Sequence, residues 1–233
     1  MIRKEILIIL TVVLFAENGL YAVPVDKIFT EDGVIQDGDE YRYVDIYDTP
    51  PGRTTVSMFG GSVIRSIAYD SSVLNFTGGA ISILYAHDFS TINASGGYIH
   101  SPTAWDYSTI NISGTFNAVE VGAAPAGIVN VMGGTMKAIA GDGGVINLYG
   151  GTVTDSIHGM GGGGWVNVFG YDLEKRSTGG KYGYGYVSGF WNDETAFKID
   201  LYGQGTYNHI NLIPEPGSLI LFALGALLIK RKQ

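Results

Sequence analysis

The block Leu74-Asn75-Phe76-Thr77-Gly78-Gly79 is repeated along the chain, and its repetition determines the predicted architecture. Each copy has an apolar residue, a polar residue that is usually Asn, a second apolar residue, any residue and then glycine. Because apolar and polar residues alternate, the block has the period of a β-strand rather than of a helix. The other copies begin at Val56, Ile92, Ile110, Val129, Ile146, Val166 and, after a longer insertion, Ile199.

The block returns at a nearly constant distance. Its first glycines lie at positions 60, 78, 96, 114, 133, 150, 170 and 203, with spacings of 18, 18, 18, 19, 17, 20 and 33 residues. A slightly drifting period is typical of a solenoid, whose turns absorb the difference. The chain is therefore predicted to be all-β, a parallel β-solenoid of about seven or eight coils with two or three short strands in each. We favour right-handed winding, and a left-handed helix of six-residue units is the alternative.

The apolar residues on either side of the central Asn are predicted to point inward and to form two columns along the axis. The glycines that follow are predicted to form a corner, because glycine adopts positive φ without steric cost. The chain has no cysteine, so packing and hydrogen bonds must hold the coils together. The inward pairs are Leu74 and Phe76, Ile92 and Ala94, Ile110 and Ile112, Val129 and Val131, Ile146 and Leu148, and Val166 and Val168.

The N-terminal residues differ from the repeats. Arg3 and Lys4 precede an apolar stretch, residues 6–16, and a more polar segment that ends at Ala22. This pattern is typical of a secretory signal peptide, which we assign to residues 1–22. A retained membrane anchor is the alternative, although the apolar stretch is shorter than the ~20 residues that span a bilayer.

The C-terminal residues 214–233 combine three features in a fixed order. Pro214-Glu215-Pro216 interrupts regular structure, residues 217–229 form an uncharged apolar run that favours a short helix, and Lys230-Arg231-Lys232 is a basic cluster. This order resembles the PEP-CTERM sorting signal of exported proteins of Gram-negative bacteria. The resemblance implies recognition by an exosortase in the inner membrane, cleavage at Pro-Glu-Pro, and delivery to the cell surface or an exopolysaccharide matrix. A buried core helix is the alternative for the apolar run.

The chain between these ends divides into two parts. Residues 23–52 are acidic and strand-like, and they are predicted to cap the N-terminal end of the solenoid. Residues 53–213 are predicted to be the solenoid itself. With the ends set aside, nine basic and nineteen acidic side chains leave a net charge of about −10. This charge argues against nucleic acid and anionic membrane surfaces as partners.

One asparagine occupies the centre of most copies of the block. In a parallel stack, equivalent side chains of neighbouring coils lie about 4.8 Å apart, so their amides can hydrogen-bond from coil to coil. The column is therefore predicted to be a stabilising ladder. A regular array that binds sugar hydroxyls is the alternative. The column consists of Asn75, Asn93, Asn111, Asn130, Asn147 and Asn167.

An acidic column is formed by Asp70, Asp88 and Asp106, which are spaced by 18 residues. Each is followed two residues later by serine, which is typical of a turn in which the carboxylate accepts a backbone N–H. Three stacked carboxylates would repel one another unless they are solvated or bridged by a cation. Weak Ca²⁺ binding is therefore the alternative, and no other cofactor is predicted.

Tyr182, Tyr184 and Tyr186 lie in a segment that largely alternates glycine and tyrosine, within the 33-residue gap. Exposed tyrosines can stack on sugar rings or on partner proteins, so this segment is a candidate binding feature. Packing of the tyrosines over the end of the solenoid is the alternative.

No pattern in the sequence indicates catalysis. Arg65, His100, Lys137 and Asp155 fall near the same part of their coils, but each stands among apolar or hydroxyl neighbours. The sequence therefore predicts a non-enzymatic, exported structural protein of the cell surface or exopolysaccharide matrix. An adhesin or carbohydrate-binding β-helix protein is the alternative, and a polysaccharide lyase ranks third.

Overall fold

The computed structural model describes residues 24–159 and 163–215 of this 233-residue chain. In these ranges the chain is a β-solenoid of about eight turns, with a single turn of 3-10 helix at Thr206–His209 as its only helical element. The prediction of an all-β parallel solenoid is therefore confirmed.

Two sheets run along the solenoid, and each regular coil contributes one strand to each sheet. The short-strand sheet contains β2 (Gly33–Ile35), β4 (Thr55–Met58), β6 (Val73–Phe76), β8 (Thr91–Ala94), β10 (Thr109–Ile112), β12 (Ile128–Val131), β14 (Val145–Leu148), the first half of β16 (Trp165–Arg176) and β19 (Ile210–Pro214). The long-strand sheet contains β1 (Val25–Phe29), β3 (Glu40–Ile46), β5 (Ser62–Ala68), β7 (Ala80–Ala86), β9 (Tyr98–Ala104), β11 (Asn117–Ala123), β13 (Thr135–Gly141), β15 (Thr152–His158), β18 (Ala196–Leu201), β17 (Tyr186–Phe190) and the second half of β16.

The core lies between the two sheets and follows the alternation of the repeated block. In β6, Leu74 and Phe76 are buried while Asn75 between them faces outward, and β8 places Ile92, Asn93 and Ala94 in register with them. The inward pairs predicted from the sequence are all buried. Each coil therefore packs its apolar side chains on those of the next coil.

Glycine forms the corner between a short strand and the long strand that follows. Gly79 has φ +90°, and a Cβ atom there would lie 2.5 Å from the carbonyl oxygen of Gly60 in the preceding coil. The neighbouring Gly78 would place a Cβ 2.3 Å from the carbonyl oxygen of Phe59. The glycine pair is thus needed for the conformation and for the close stacking of backbones.

The N-terminal residues continue the same architecture. Within the segment predicted as a cap, β1 pairs in parallel with β3, and β2 pairs in parallel with β4. Within the described part of the chain these strands are the first of the solenoid, and Val25 and Ile28 in β1 are exposed. Asp26 lies between them and forms a bidentate ion pair with Arg42, with both distances 2.9 Å, which places charge on the first described strand.

The last coil departs from the sequence prediction. Ile199-Asp200-Leu201, predicted as the eighth copy of the block, lies in β18 of the long-strand sheet, where Asp200 pairs with Ser156. The position beside Asn167 is occupied instead by Asn211 of β19. The reason is that β17 and β18 form an antiparallel hairpin. In this hairpin β17 also pairs, again antiparallel, with the second half of β16. The prediction that Ile199-Asp200-Leu201 is the eighth copy of the block is therefore wrong, and Ile210-Asn211-Leu212 takes that place.

Candidate functional site

The asparagine column forms a continuous chain of hydrogen bonds on the outer face of the short-strand sheet. Each side-chain amide Nδ2 donates to the Oδ1 of the asparagine in the preceding coil. The donor–acceptor distances are 3.0 Å from Asn93 to Asn75, 3.0 Å from Asn111 to Asn93, 2.9 Å from Asn130 to Asn111, 2.9 Å from Asn147 to Asn130 and 2.8 Å from Asn167 to Asn147. Because neighbouring coils use these amides, the geometry favours the stabilising role over a sugar-binding one.

Asn211 extends this ladder by one further coil, and the sequence pattern did not predict it. Its Nδ2 donates to the Oδ1 of Asn167 over 3.0 Å, although the two residues are 44 positions apart. The signal is present as Ile210-Asn211-Leu212, an apolar–Asn–apolar triplet. It is hard to recognise because Pro214 stands where the other copies have their first glycine.

The acidic column lies at the corner that leads from each long strand to the next short strand. Asp70, Asp88 and Asp106 have φ values of 55–57°, a left-handed conformation that aspartate tolerates better than most residues. The Oδ2 of Asp88 accepts the backbone N–H of Asp70 at 3.1 Å, and Asp70 does the same for Asp48 at 3.3 Å. The carboxylates therefore join successive turns.

The third carboxylate of this column has a different partner. Oδ2 of Asp106 lies 3.2 Å from Nδ1 of His87, which is one coil away. In the next coil the corner is Ala124-Pro125-Ala126-Gly127, and the positive φ moves to Ala126 because proline cannot adopt it. Within the described ranges, no three His, Cys, Asp or Glu side chains are grouped so that they could hold a metal ion.

Aromatic rings stack beside the acidic corner over four coils. Tyr47, Tyr69, His87 and Trp105 follow one another with centroid distances of 4.6, 5.6 and 6.0 Å and interplanar angles of 18° or less. Each ring covers the face of its neighbour, so this row contributes mainly to coil stacking.

The three candidate tyrosines differ in their exposure and in their contacts. The hydroxyl of Tyr182 donates to Oδ1 of Asp155, and its ring packs edge-on against Tyr202 at 5.0 Å. Tyr186 is half-buried in β17, while Tyr184 is 43% exposed. Tyr184 also packs edge-on against Tyr202, with ring centroids 6.0 Å apart, and the Lys198 ammonium lies 4.3 Å from the centroid of the Tyr186 ring. All three side chains therefore have contacts within the fold, and Tyr184 is the most exposed of them.

The sequence suggested that Asp155 is isolated, but in the structure it contacts both Tyr182 and Lys181. Its Oδ1 also accepts a hydrogen bond from the Lys181 ammonium at 2.5 Å. The Lys181 bond, and after it the Tyr182 bond, hold the pKa of the Asp155 carboxyl below its usual value. A pocket of about 270 Å³ adjoins this contact and is also lined by His158 and Tyr202. The pair ties the insertion to β15, which the spacing of the residues in sequence could not show.

The first two residues of the predicted sorting motif belong to the fold. Pro214 is the last residue of β19 and pairs with Gly170, and the backbone N–H of Glu215 donates to the Gly170 carbonyl at 3.0 Å. Pro216, the apolar run and Lys230, Arg231 and Lys232 lie outside the described residues, as does the predicted signal peptide. Within the described part of the chain, no helix has the length and apolar character needed to cross a membrane.

No family model, curated protein or solved structure matches this chain.

Proposed function

We propose that this chain is an exported structural protein of the cell surface or exopolysaccharide matrix, in which the solenoid acts as a rigid spacer. The observation that carries the proposal is the asparagine ladder. Six consecutive side-chain hydrogen bonds join seven asparagines, from Asn75 to Asn211, so the polar residues that recur most regularly stabilise the rod. The proposal keeps right-handed winding, which parallel crossovers strongly prefer.

Sorting through the Pro214-Glu215-Pro216 motif is part of this proposal. The exosortase would meet the motif directly after β19, the last strand of the short-strand sheet. Cleavage on the C-terminal side of the motif would separate residues 217–233 while leaving every strand of the solenoid in place. The signal peptide, the transient stay of the apolar C-terminal helix in the inner membrane and the absence of enzymatic activity belong to the same proposal.

The test is fractionation of a Gram-negative host that carries an exosortase. We expect the full chain to be recovered in the matrix fraction as a shortened form. A variant with all three motif residues replaced by alanine should stay at full length in the membrane fraction. Pro125→Ala, a proline at a distant corner, is the matched control and should behave as the original chain does. Identical fractionation of the triple variant and the original chain would refute the sorting role.

Carbohydrate binding is the second candidate function. Tyr184 is the exposed member of the tyrosine group, so a glycan array should lose signal on Tyr184→Ala if this segment is the binding feature. An unchanged array pattern would exclude the tyrosine segment. Release of unsaturated sugars from acidic glycans would instead favour the third class, a lyase.

A further inference from the structure

A groove of about 740 Å³ follows the glycine corners of three consecutive coils, a size within the range of small-molecule sites. Its floor is the backbone of Gly133-Gly134 and Gly150-Gly151. The insertion hairpin closes one end with the loop Trp191–Thr195. Because neighbouring coils lie about 4.8 Å apart, the floor extends roughly 10 Å along the solenoid axis.

The two sides of the groove differ in character. One side carries Asn117, Thr135 and Thr152, which are the first residues of their strands, pair in register and are exposed. The other side carries Met132 and Tyr149, which are 53% and 38% exposed. An apolar side opposite a row of hydroxyl and amide groups suits a ligand that has both C–H faces and hydroxyl edges.

Tyr149 contributes a partly exposed aromatic ring to this groove. Phe169 of the following coil stacks on one of its faces, with centroids 4.2 Å apart and planes inclined by 22°. Met132 occupies the equivalent position one coil earlier, because Val131 and Leu148 pair in register, so Met132 and Tyr149 together form the apolar side of the groove. The exposed parts of these two side chains form an apolar platform on which the C–H face of a sugar ring can pack.

The end wall is held in place by contacts that do not depend on a ligand. The indole N–H of Trp191 donates to the Gly151 carbonyl at 3.1 Å, and its ring stacks on Phe197 at 3.8 Å. Oδ1 of Asp193 accepts the backbone N–H of Thr195 at 3.0 Å, which lowers the pKa of the Asp193 carboxyl. The wall is thus preformed and carries a negative charge at neutral pH.

The charge of the lining restricts the class of ligand. Among the described residues that line the groove there is no lysine, arginine or histidine, and the single charged side chain is Asp193. Phosphate, sulfate and uronate groups would find no cationic partner there and would meet a carboxylate.

We propose that this groove binds a neutral glycan, with the C–H face of a sugar ring on Tyr149 and Met132 and its hydroxyls on Asn117, Thr135 and Thr152. The inference gives the proposed matrix protein a point of attachment to polysaccharide. It rests on that function only for its biological setting. Binding by the purified chain does not require sorting, so failure of either proposal leaves the other testable.

Isothermal titration calorimetry of the full chain tests this site, with cellohexaose, chitohexaose and hexagalacturonate as probes. We expect saturable binding of at least one of the two neutral oligosaccharides and none of hexagalacturonate. Tyr149→Ala should weaken the affinity at least about tenfold, because the aromatic platform is lost. Thr135→Val, which keeps the shape of the side chain, should weaken it about threefold to tenfold through loss of one hydroxyl.

The matched control is Phe59→Ala. Phe59 is 60% exposed and precedes its own Gly-Gly corner just as Tyr149 does, but it lies outside the groove. Its replacement should leave the affinity unchanged. The proposal is overturned if neither neutral oligosaccharide binds at millimolar concentration, if hexagalacturonate binds as tightly, or if Phe59→Ala weakens binding as much as Tyr149→Ala.

Discussion

The regular coils from β4 to β13 and the end of the solenoid from β15 to β19 contain the same kind of strands but are joined by different contacts. In the regular coils each residue lies beside its own equivalent, as Asn75 lies beside Asn93. At the end, β16, β17 and β18 run antiparallel, and unlike residues meet, such as Asp155 with Lys181 and Trp191 with Gly151. Repetition stabilises the first region, whereas individual pairs stabilise the second.

The largest expected effect comes from a methyl group at a regular corner. Gly79→Ala would place Cβ 2.5 Å from the Gly60 oxygen at φ +90°, so two coils would have to separate. We expect the free energy of unfolding to fall by about 3 kcal/mol or more. Urea titration monitored by circular dichroism measures this loss.

Gly183→Ala is the matched control in the end region. Gly183 also has positive φ, +80°, but no atom lies within 4 Å of the position that a Cβ would take there. Only the conformational cost of about 1–2 kcal/mol applies. Equal losses in the two variants would show that coil stacking does not determine the cost at the corner.

An intermediate effect is expected within the asparagine ladder. Asn130→Ala removes two hydrogen bonds and leaves Oδ1 of Asn111 and Nδ2 of Asn147 without their partners. We expect a loss of about 2 kcal/mol. Asn211→Ala, at the terminus of the ladder, removes one exposed bond and should cost at most about 1 kcal/mol. Thermal melting of both variants checks this order, and a terminal loss as large as the internal one would contradict the ladder as the stabilising element.

The same comparison explains how much of the molecule could be predicted from its sequence. The alternation around Asn75 and the spacing of the glycines predicted the strands, the inward pairs and the solenoid. This was possible because each stacked coil repeats the same short sequence pattern. The end could not be predicted in this way. Whether Ile199-Asp200-Leu201 or Ile210-Asn211-Leu212 continues the column depends on the antiparallel hairpin between them, which has no period.

The candidate sites show the same limit. The acidic column is visible in the sequence because Asp70, Asp88 and Asp106 repeat every 18 residues, whereas Asp155 looks isolated because its partners Lys181 and Tyr182 lie 26 and 27 residues away. The groove could not be predicted for a related reason. Part of the groove is formed by glycines, for which the sequence predicts only corners. The other part is a loop that contacts Gly151 through the buried side chain of Trp191.

The smallest expected effect concerns the pair that joins the insertion to the regular coils. The hydrogen bonds from Lys181 and Tyr182 lower the pKa of Asp155, so the ionised carboxylate stabilises the folded chain. This contribution is fully present above the ordinary carboxyl pKa of about 3.9 and is lost as the pH falls through the lower folded value. Asp155→Asn should therefore lower the melting temperature slightly at pH 7 and progressively less below about pH 4. Asp142→Asn, at an exposed corner residue, is the control and should leave the melting temperature unchanged at pH 7. A difference between Asp155→Asn and the original chain that stays constant down to about pH 2 would mean that packing, rather than the ion pair, holds the insertion against β15.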